Sequence, residues 1–220
     1  MISSSKAATG GPEVRLVSTY RGPRLRKVRS LGVMLPGLTH KAARKRTSPP
    51  GEAGGQHRRR RVSVYRMQLS EKQKIRYNYG LSEKQLEAYF QKAASLPGET
   101  GVNLLQLVER RLDNVVARSG FASTIPAARQ LVSHGHITVN GHKVDIASYQ
   151  VGVGDIISLK ESSRDLKVIV DNITQGRGIG VPAYLEVDPK SRKASMKSLP
   201  AREDITLEVQ ERMVVEFYSK

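Results

Sequence analysis

Cationic charge is spread so unevenly along this chain that its first 61 positions cannot build a core of their own. They hold 15 Lys and Arg against two acids, Glu13 and Glu52. Residues 62–98 carry 6 against 3, residues 99–161 carry 6 against 6, and residues 162–220 carry 10 against 9. Self-repulsion of that kind favours no compact state, so the amino-terminal segment points to a polyanionic partner. Its cations fall in clusters: Arg21, Arg24, Arg26, Lys27 and Arg29, then Lys41, Arg44, Lys45 and Arg46, then His57 with Arg58, Arg59, Arg60 and Arg61. Between Tyr20 and Tyr65 there is no aromatic residue. Single-strand binders stack bases on aromatic platforms, so phosphate contact with folded RNA or duplex is favoured. A solvated tail or localisation signal is the rival reading, but several clusters spread over forty residues suit an arm threaded through a large polyanion.

Composition removes several function classes. The chain has no Cys, which excludes a disulfide framework, a thiolate metal site and a cysteine nucleophile. No run approaches 18 apolar residues, so no membrane span is expected. Residues 1–19 are Ser-rich but lack an apolar centre, which argues against a secretory signal.

Two capping-box sequences, Ser70-Glu71-Lys72-Gln73 and Ser82-Glu83-Lys84-Gln85, predict helix starts, with Gly80 as a stop between them. Leu104, Leu105, Val108, Leu112, Val115 and Val116 fall on one face of a long helix opened by Thr100 and ended by Gly120. A shorter helix follows, capped at Ser123 or Thr124, with Pro126 in its first turn and Gly135 past its end. His136 to Val144 holds an Asn140-Gly141 pair between alternating residues, the strongest short hairpin signal. Ile156 to Leu159 reads as a third strand, and Ile205–Val209 and Met213–Phe217 as two more. The fold class expected is α+β: a helical N-terminal domain with an extended basic arm, and a central module of helices on a small antiparallel sheet. The expected units are a disordered extension (1–19), the arm (20–69), a helical domain (70–109), the module (110–171), a linker or insertion (172–203) and a C-terminal β segment (204–220).

Within the module Arg111 and Arg118 are seven residues apart, hence on one helical stripe, and Arg110 adjoins them. Arg129 lies on the next helix, and His134, His136 and Lys143 cluster at the hairpin. Together with a helix N-terminus they would present donors to a phosphate backbone. Any one of these residues suits an ordinary solvated helix; the group does not. A metal site from His134, His136 and His142 lacks a completing carboxylate or thiol. Gly176-Arg177-Gly178-Ile179-Gly180 lacks the strand–helix context of a dinucleotide loop.

The runs Arg110-Arg111-Leu112-Asp113-Asn114-Val115-Val116, Ala127-Ala128-Arg129-Gln130-Leu131-Val132 and His134-Gly135-His136-Ile137-Thr138-Val139-Asn140-Gly141 closely resemble the module of the small-subunit ribosomal protein S-four family. Tyr20-Arg21-Gly22-Pro23-Arg24, Leu35-Pro36-Gly37-Leu38-Thr39, Tyr79-Gly80-Leu81-Ser82 and Val214-Val215-Glu216-Phe217-Tyr218-Ser219 resemble its other segments in order. The resemblance implies an alpha-L-type RNA-binding motif and a primary binder of 16S-type rRNA. Such a protein docks on a helix junction in the 5′ domain, nucleates subunit assembly and influences accuracy near the opening where mRNA enters. It implies uS-five and uS-three proteins as neighbours, with no membrane, no homo-oligomer and no cofactor. Zinc-binding members use an N-terminal cysteine cluster; without cysteine this chain resembles the zinc-free branch, so no metal is expected. The opening has a cyanobacterial or plastid wording, which implies a ribosome of the chloroplast stroma, with bacterial cytoplasm as the alternative.

The Pro49-Pro50 to His57 loop is longer than the family form. Arg111-Leu112-Asp113 also matches the triplet around the catalytic Asp of pseudouridine synthases, but it lies ahead of the hairpin and no catalytic domain has room, so no enzyme is expected. An RNA-binding protein acting off the ribosome is the remaining alternative. If roughly 6–10 phosphates are neutralised, log affinity falls with log salt at a slope of about −5 to −9. Deleting residues 1–61 is expected to flatten that slope and leave residues 99–161 folded.

Overall fold

The computed structural model describes residues 20, 22–41, 48–51, 62–176 and 179–219. Arg21, Arg44, Lys45, Arg46, His57, Arg58, Arg59, Arg60 and Arg61, with the extension 1–19, lie outside the described residues.

The basic arm supplies a helix, α1 (Arg24–Leu31), ended by Gly32 in the left-handed region at φ 68°. Val28, Leu35 and Leu38 bury their side chains in the main core. Gly37 makes the attachment. Its N–H donates to Asn78 Oδ1 (2.9 Å) and its carbonyl accepts from Ile125 N (2.8 Å). A Cβ there would stand 2.4 Å from the Asn78 carbonyl oxygen and 2.6 Å from Ile125 Cδ1, so no side chain fits. The arm is therefore part of the fold up to Lys41. Deleting residues 1–61 would strip three core side chains and the Gly37–Ile125 hydrogen bond from the surface that residues 99–161 pack against.

The helical region is α2 (Val64–Asn78), α3 (Glu83–Ala94) and α4 (Thr100–Glu109). The Ser82 box caps α3 as expected, Ser82 Oγ accepting from Gln85 N. The Ser70 box does not start a helix. α2 begins six residues earlier at Val64, capped by Ser63, and Glu71 and Lys72 are buried mid-helix. There Lys72 pairs with Glu83 (2.7 Å), Glu71 pairs with Lys74 (2.6 Å), and Glu71 also accepts from Gln210 N (2.9 Å).

The long helix expected from Thr100 is broken. α4 stops at Glu109, Arg111 is extended (ψ 138°), and α5 (Leu112–Arg118) starts afresh. Carbonyls of the 147–149 loop capture its first amides, Leu112 N on Tyr149 O (2.9 Å) and Asp113 N on Ala147 O (3.2 Å). The apolar phase survives the break, so all six face residues are buried and periodicity does not reveal it. α6 (Ile125–Ser133) is capped by Thr124, and Gly135 follows at φ 72°.

The hairpin is β1 (Ile137–Val139) and β2 (His142–Lys143), turned by Asn140 (φ 51°) and Gly141 (φ 83°). Positive φ at both central residues is the twist-matched hairpin turn. β3 (Ile156–Leu159) pairs antiparallel with β1, Thr138 opposite Ser158. Residues 172–203, expected as a linker, hold the end of α7 (Lys167–Thr174), then β4 (Leu185–Asp188) and β5 (Lys193–Met196). These close an antiparallel sheet of order β2-β1-β3-β5-β4. Ile205, Leu207 and Val209 alternate into the core without forming a ladder, and Met213–Phe217 is not a strand but part of α8 (Glu211–Tyr218). Val214, Phe217 and Tyr218 stand at i, i+3 and i+4, and Phe90 stacks on Tyr218 at 4.8 Å. One apolar cluster runs from Val28 to Val214.

Candidate nucleic-acid interface

The basic side chains of the arm and the central module divide into an inward and an outward set. The inward set gathers on two carboxylates whose side chains are fully buried. Asp113 receives both Arg111 Nη2 (2.8 Å) and Nε (3.1 Å), and Arg129 Nη2 (2.7 Å) and Nε (3.0 Å). Arg111 reaches Tyr89 Oη (2.8 Å), and Arg129 donates to the carbonyls of Gly80 (2.8 Å) and Tyr79 (3.1 Å). Glu109 accepts from Arg118 Nη2 (2.8 Å), Tyr184 Oη (3.0 Å), Tyr79 Oη and Asn114 Nδ2. Arg118 also reaches Thr206 Oγ1 (3.2 Å).

This network joins the end of α2, the break between α4 and α5, and the C-terminal region. It also corrects the expected stripe. The helix break turns Arg111 inward, and Arg111 and Arg118 spend their guanidiniums inside the protein. Arg129 is half-buried and engaged the same way. Asp113 is a two-arginine anchor rather than a helix-face ion pair.

Electrostatics follow the geometry. Burial alone would lower the Arg118 pKa, but the Glu109 carboxylate, with Tyr79 and Tyr184 beside it, overrides this and raises it. Arg111 is likewise raised, Asp113 overriding the cost of burial. Burial first, and the Glu109 charge second, push the Tyr79 and Tyr184 hydroxyls well above the ordinary tyrosine range. Both phenols therefore remain donors to the carboxylate.

The outward set is different. Arg24, Arg26, Lys41, His134 and Lys143 are exposed, and Lys27, Arg29, Arg110 and His136 are half-buried. Lys27 sits over the rings of Tyr20 (5.0 Å) and Tyr77 (4.6 Å). Arg29 Nε donates to Ser48 O (2.9 Å), and Arg110 Nε to Val151 O (2.9 Å). At the hairpin, His136 Nδ1 lies 2.8 Å from Ser163 Oγ and the His134 and His136 ring centroids are 6.0 Å apart. Lys143 crosses Gly135, where a Cβ would meet Lys143 Cε at 2.3 Å. Among the described residues its ammonium pairs only with Asp145, at an exposed 4.0 Å, a weak contact. The hairpin and the end of α6 thus bring His134, His136 and Lys143 together as the sequence suggested.

The helix N-terminus does not serve as expected. In α6, Ile125 N donates to Gly37 O, Pro126 has no N–H, Ala127 N donates to Thr124 Oγ1 (3.4 Å) and Ala128 N to Thr124 O (2.9 Å). No amide of that first turn is left for an anion.

Sequence reasoning missed Lys160, whose N–H donates to His136 O (2.9 Å) beside the histidines. The pairing of Ile137 with Leu159 places it there, a register only the folded sheet reveals. It also missed a polar cleft where Arg164 meets Lys190, Arg192 and Lys193, because that stretch carries no periodic signal. Among the described residues no group of three metal-ligating side chains converges.

The Ribosomal protein S4/S9 N-terminal domain family matches residues 19–109, and the S4 domain family matches residues 110–157. The small ribosomal subunit protein uS4 of Synechococcus elongatus is 52% identical over 204 residues, covering 93% of this chain and 99% of the relative. That of Prochlorococcus marinus is 51% identical over the same shares.

Proposed function

The chain belongs to the small ribosomal subunit protein uS4 family, and from that premise we propose that it is a structural constituent of the small ribosomal subunit that binds 16S-type rRNA. The observation that carries the reading is the division of its cations. Arg111, Arg118 and Arg129 are consumed by the buried carboxylates Asp113 and Glu109, whereas Arg24 and Arg26 on α1, Lys41, and His134 and Lys143 at the hairpin stay exposed. RNA contact is assigned to Arg24, Arg26, Lys27, Lys41, Arg110, His134, His136 and Lys143. Arg111, Arg118 and Arg129 position the module. The arm residues outside the described set extend the same basic surface in sequence.

Docking on a junction in the 5′ domain, early action in assembly and a place near incoming mRNA, with uS5- and uS3-type neighbours, follow from family membership. The chain acts by binding, and no catalytic role is assigned. We place it in a ribosome of the chloroplast stroma, a reading compatible with its cyanobacterial relatives, with the bacterial cytoplasm as the alternative compartment. The test is co-sedimentation of the full chain with small subunits in moderate salt. Recovery of the protein only in ribosome-free fractions would refute the assignment.

A further inference from the structure

We propose that the groove between α1 and α6 is a phosphate-binding subsite for the backbone of the rRNA, built jointly by the basic arm and the module. This rests on the rRNA-binding reading and adds the place where one strand is held. The groove measures about 550 Å³, within the roughly 300–1,000 Å³ common for bound small groups. Arg24, His40 and Lys41 line one wall, and Ser123, Thr124 and Gln130 the other. Of the described residues lining it, none is acidic. That sets it apart from the cleft at Arg164, where Glu161 and Asp165 intrude and Asp165 pairs with Arg192 at 3.2 Å.

The donors here are side chains, because the first-turn amides of α6 are already occupied. Arg24 spends one nitrogen on Leu38 O (3.3 Å), which fixes the guanidinium at the rim with further N–H groups to offer. Lys41 is exposed and supplies charge, while exposed His40 and the Gln130 amide opposite supply further N–H donors. An array of cationic and neutral donors around a concave opening suits a singly charged phosphodiester, whose two free oxygens accept from several directions. Both walls are fixed to each other through Gly37 and Ile125, so the groove is set before RNA arrives. Of the described residues lining the groove none is Phe, Tyr or Trp, so its contacts are weighted toward backbone rather than base stacking.

The test uses the full chain and a transcript of the 5′ domain of small-subunit rRNA, with affinity measured across a salt series. Lys41→Ala should reduce the slope of log affinity against log salt by about 1. Gln130→Glu, which plants an anion in the groove without removing a cation, should weaken binding about tenfold or more. Gln91→Glu on the exposed face of α3 makes the same change of charge away from the groove and should act far less. Circular dichroism should show all three variants folded. Should the unaltered chain fail to bind the transcript, the functional reading falls and the groove with it. Should it bind while Lys41→Ala and Gln130→Glu keep its affinity and slope, or while Gln91→Glu weakens it equally, the groove alone is refuted.

Discussion

Arg118 and Lys143 belong to the same module, yet the Arg118 side chain is 3% exposed and that of Lys143 is 59% exposed. Around Arg118 the chain supplies Glu109, Thr206, Tyr79 and Tyr184, and these convert the cation into a cross-brace between regions distant in sequence. Around Lys143 it supplies a glycine and two histidines and leaves the ammonium nearly free. The difference teaches that a cation's role depends on whether a buried carboxylate lies within reach, not on its neighbours in sequence. A balanced count over residues 99–161 conceals that three of its six cations are bound to two buried carboxylates.

The largest expected effect comes from removing a carboxylate of the interior set. Glu109→Ala leaves Arg118 buried without its partner and two phenols without an acceptor, and should cost about 3–5 kcal/mol in chemical denaturation. A loss below about 1 kcal/mol would mean that the network tolerates water and that the two regions differ less than described. Arg129→Ala should follow, at about 1.5–3 kcal/mol for hydrogen bonds made by a charged group that retains some exposure. Arg129→Glu would be worse, since it faces Asp113 with a second carboxylate. Its loss of rRNA binding should accompany unfolding.

Alkaline titration gives a smaller effect that separates the regions by chemistry. In the unfolded chain tyrosine releases its proton near pH 10, whereas Tyr79 and Tyr184 hold theirs well above that. Above pH 10 the unfolded state therefore binds fewer protons, so stability is full below that pH and falls as pH rises. The decline approaches about 1.4 kcal/mol per pH unit for each buried phenol. Phenolate absorbance should show both tyrosines titrating only as the protein unfolds, and Tyr184→Phe should remove one share of the slope. An early, reversible titration of either would place water at Glu109.

How much of this was legible in the sequence follows the range of the interactions. The hairpin turn, the Thr124 cap and the Ser82 box were readable because their partners lie within a few residues. The break at Arg110 was not, because the carbonyls of Ala147 and Tyr149 that cause it come from far along the chain while the apolar phase continues across it. β4 and β5 were missed for a related reason. Each is four residues long with charged outward positions, and only the ladder to β3 gives the alternation meaning. α8 was misread because adjacent apolar residues satisfy both periods, and packing on α2 selects the helix. Of the candidate site, the hairpin cluster was visible as a group, but separating Arg111 and Arg118 from it required Glu109 and Asp113 to be seen as buried.

The smallest effect on stability, and the sharpest contrast with Glu109, belongs to Lys143. Its stem crosses Gly135, which has no side chain to pack against, and among the described residues its acidic partner is Asp145 at an exposed 4.0 Å. Lys143→Ala should therefore change folding stability by no more than about 0.5 kcal/mol. If the ammonium meets a phosphate, the same substitution should lower the salt dependence of rRNA binding by about 1 in slope and weaken affinity similarly for unrelated sequences. Measuring denaturation and binding on one preparation decides the matter. A stable variant with an unchanged slope would show that the outward set is solvated charge at this position and would shift the interface toward α1. A destabilised variant would show that the hairpin depends on Lys143, erasing the distinction between the two regions.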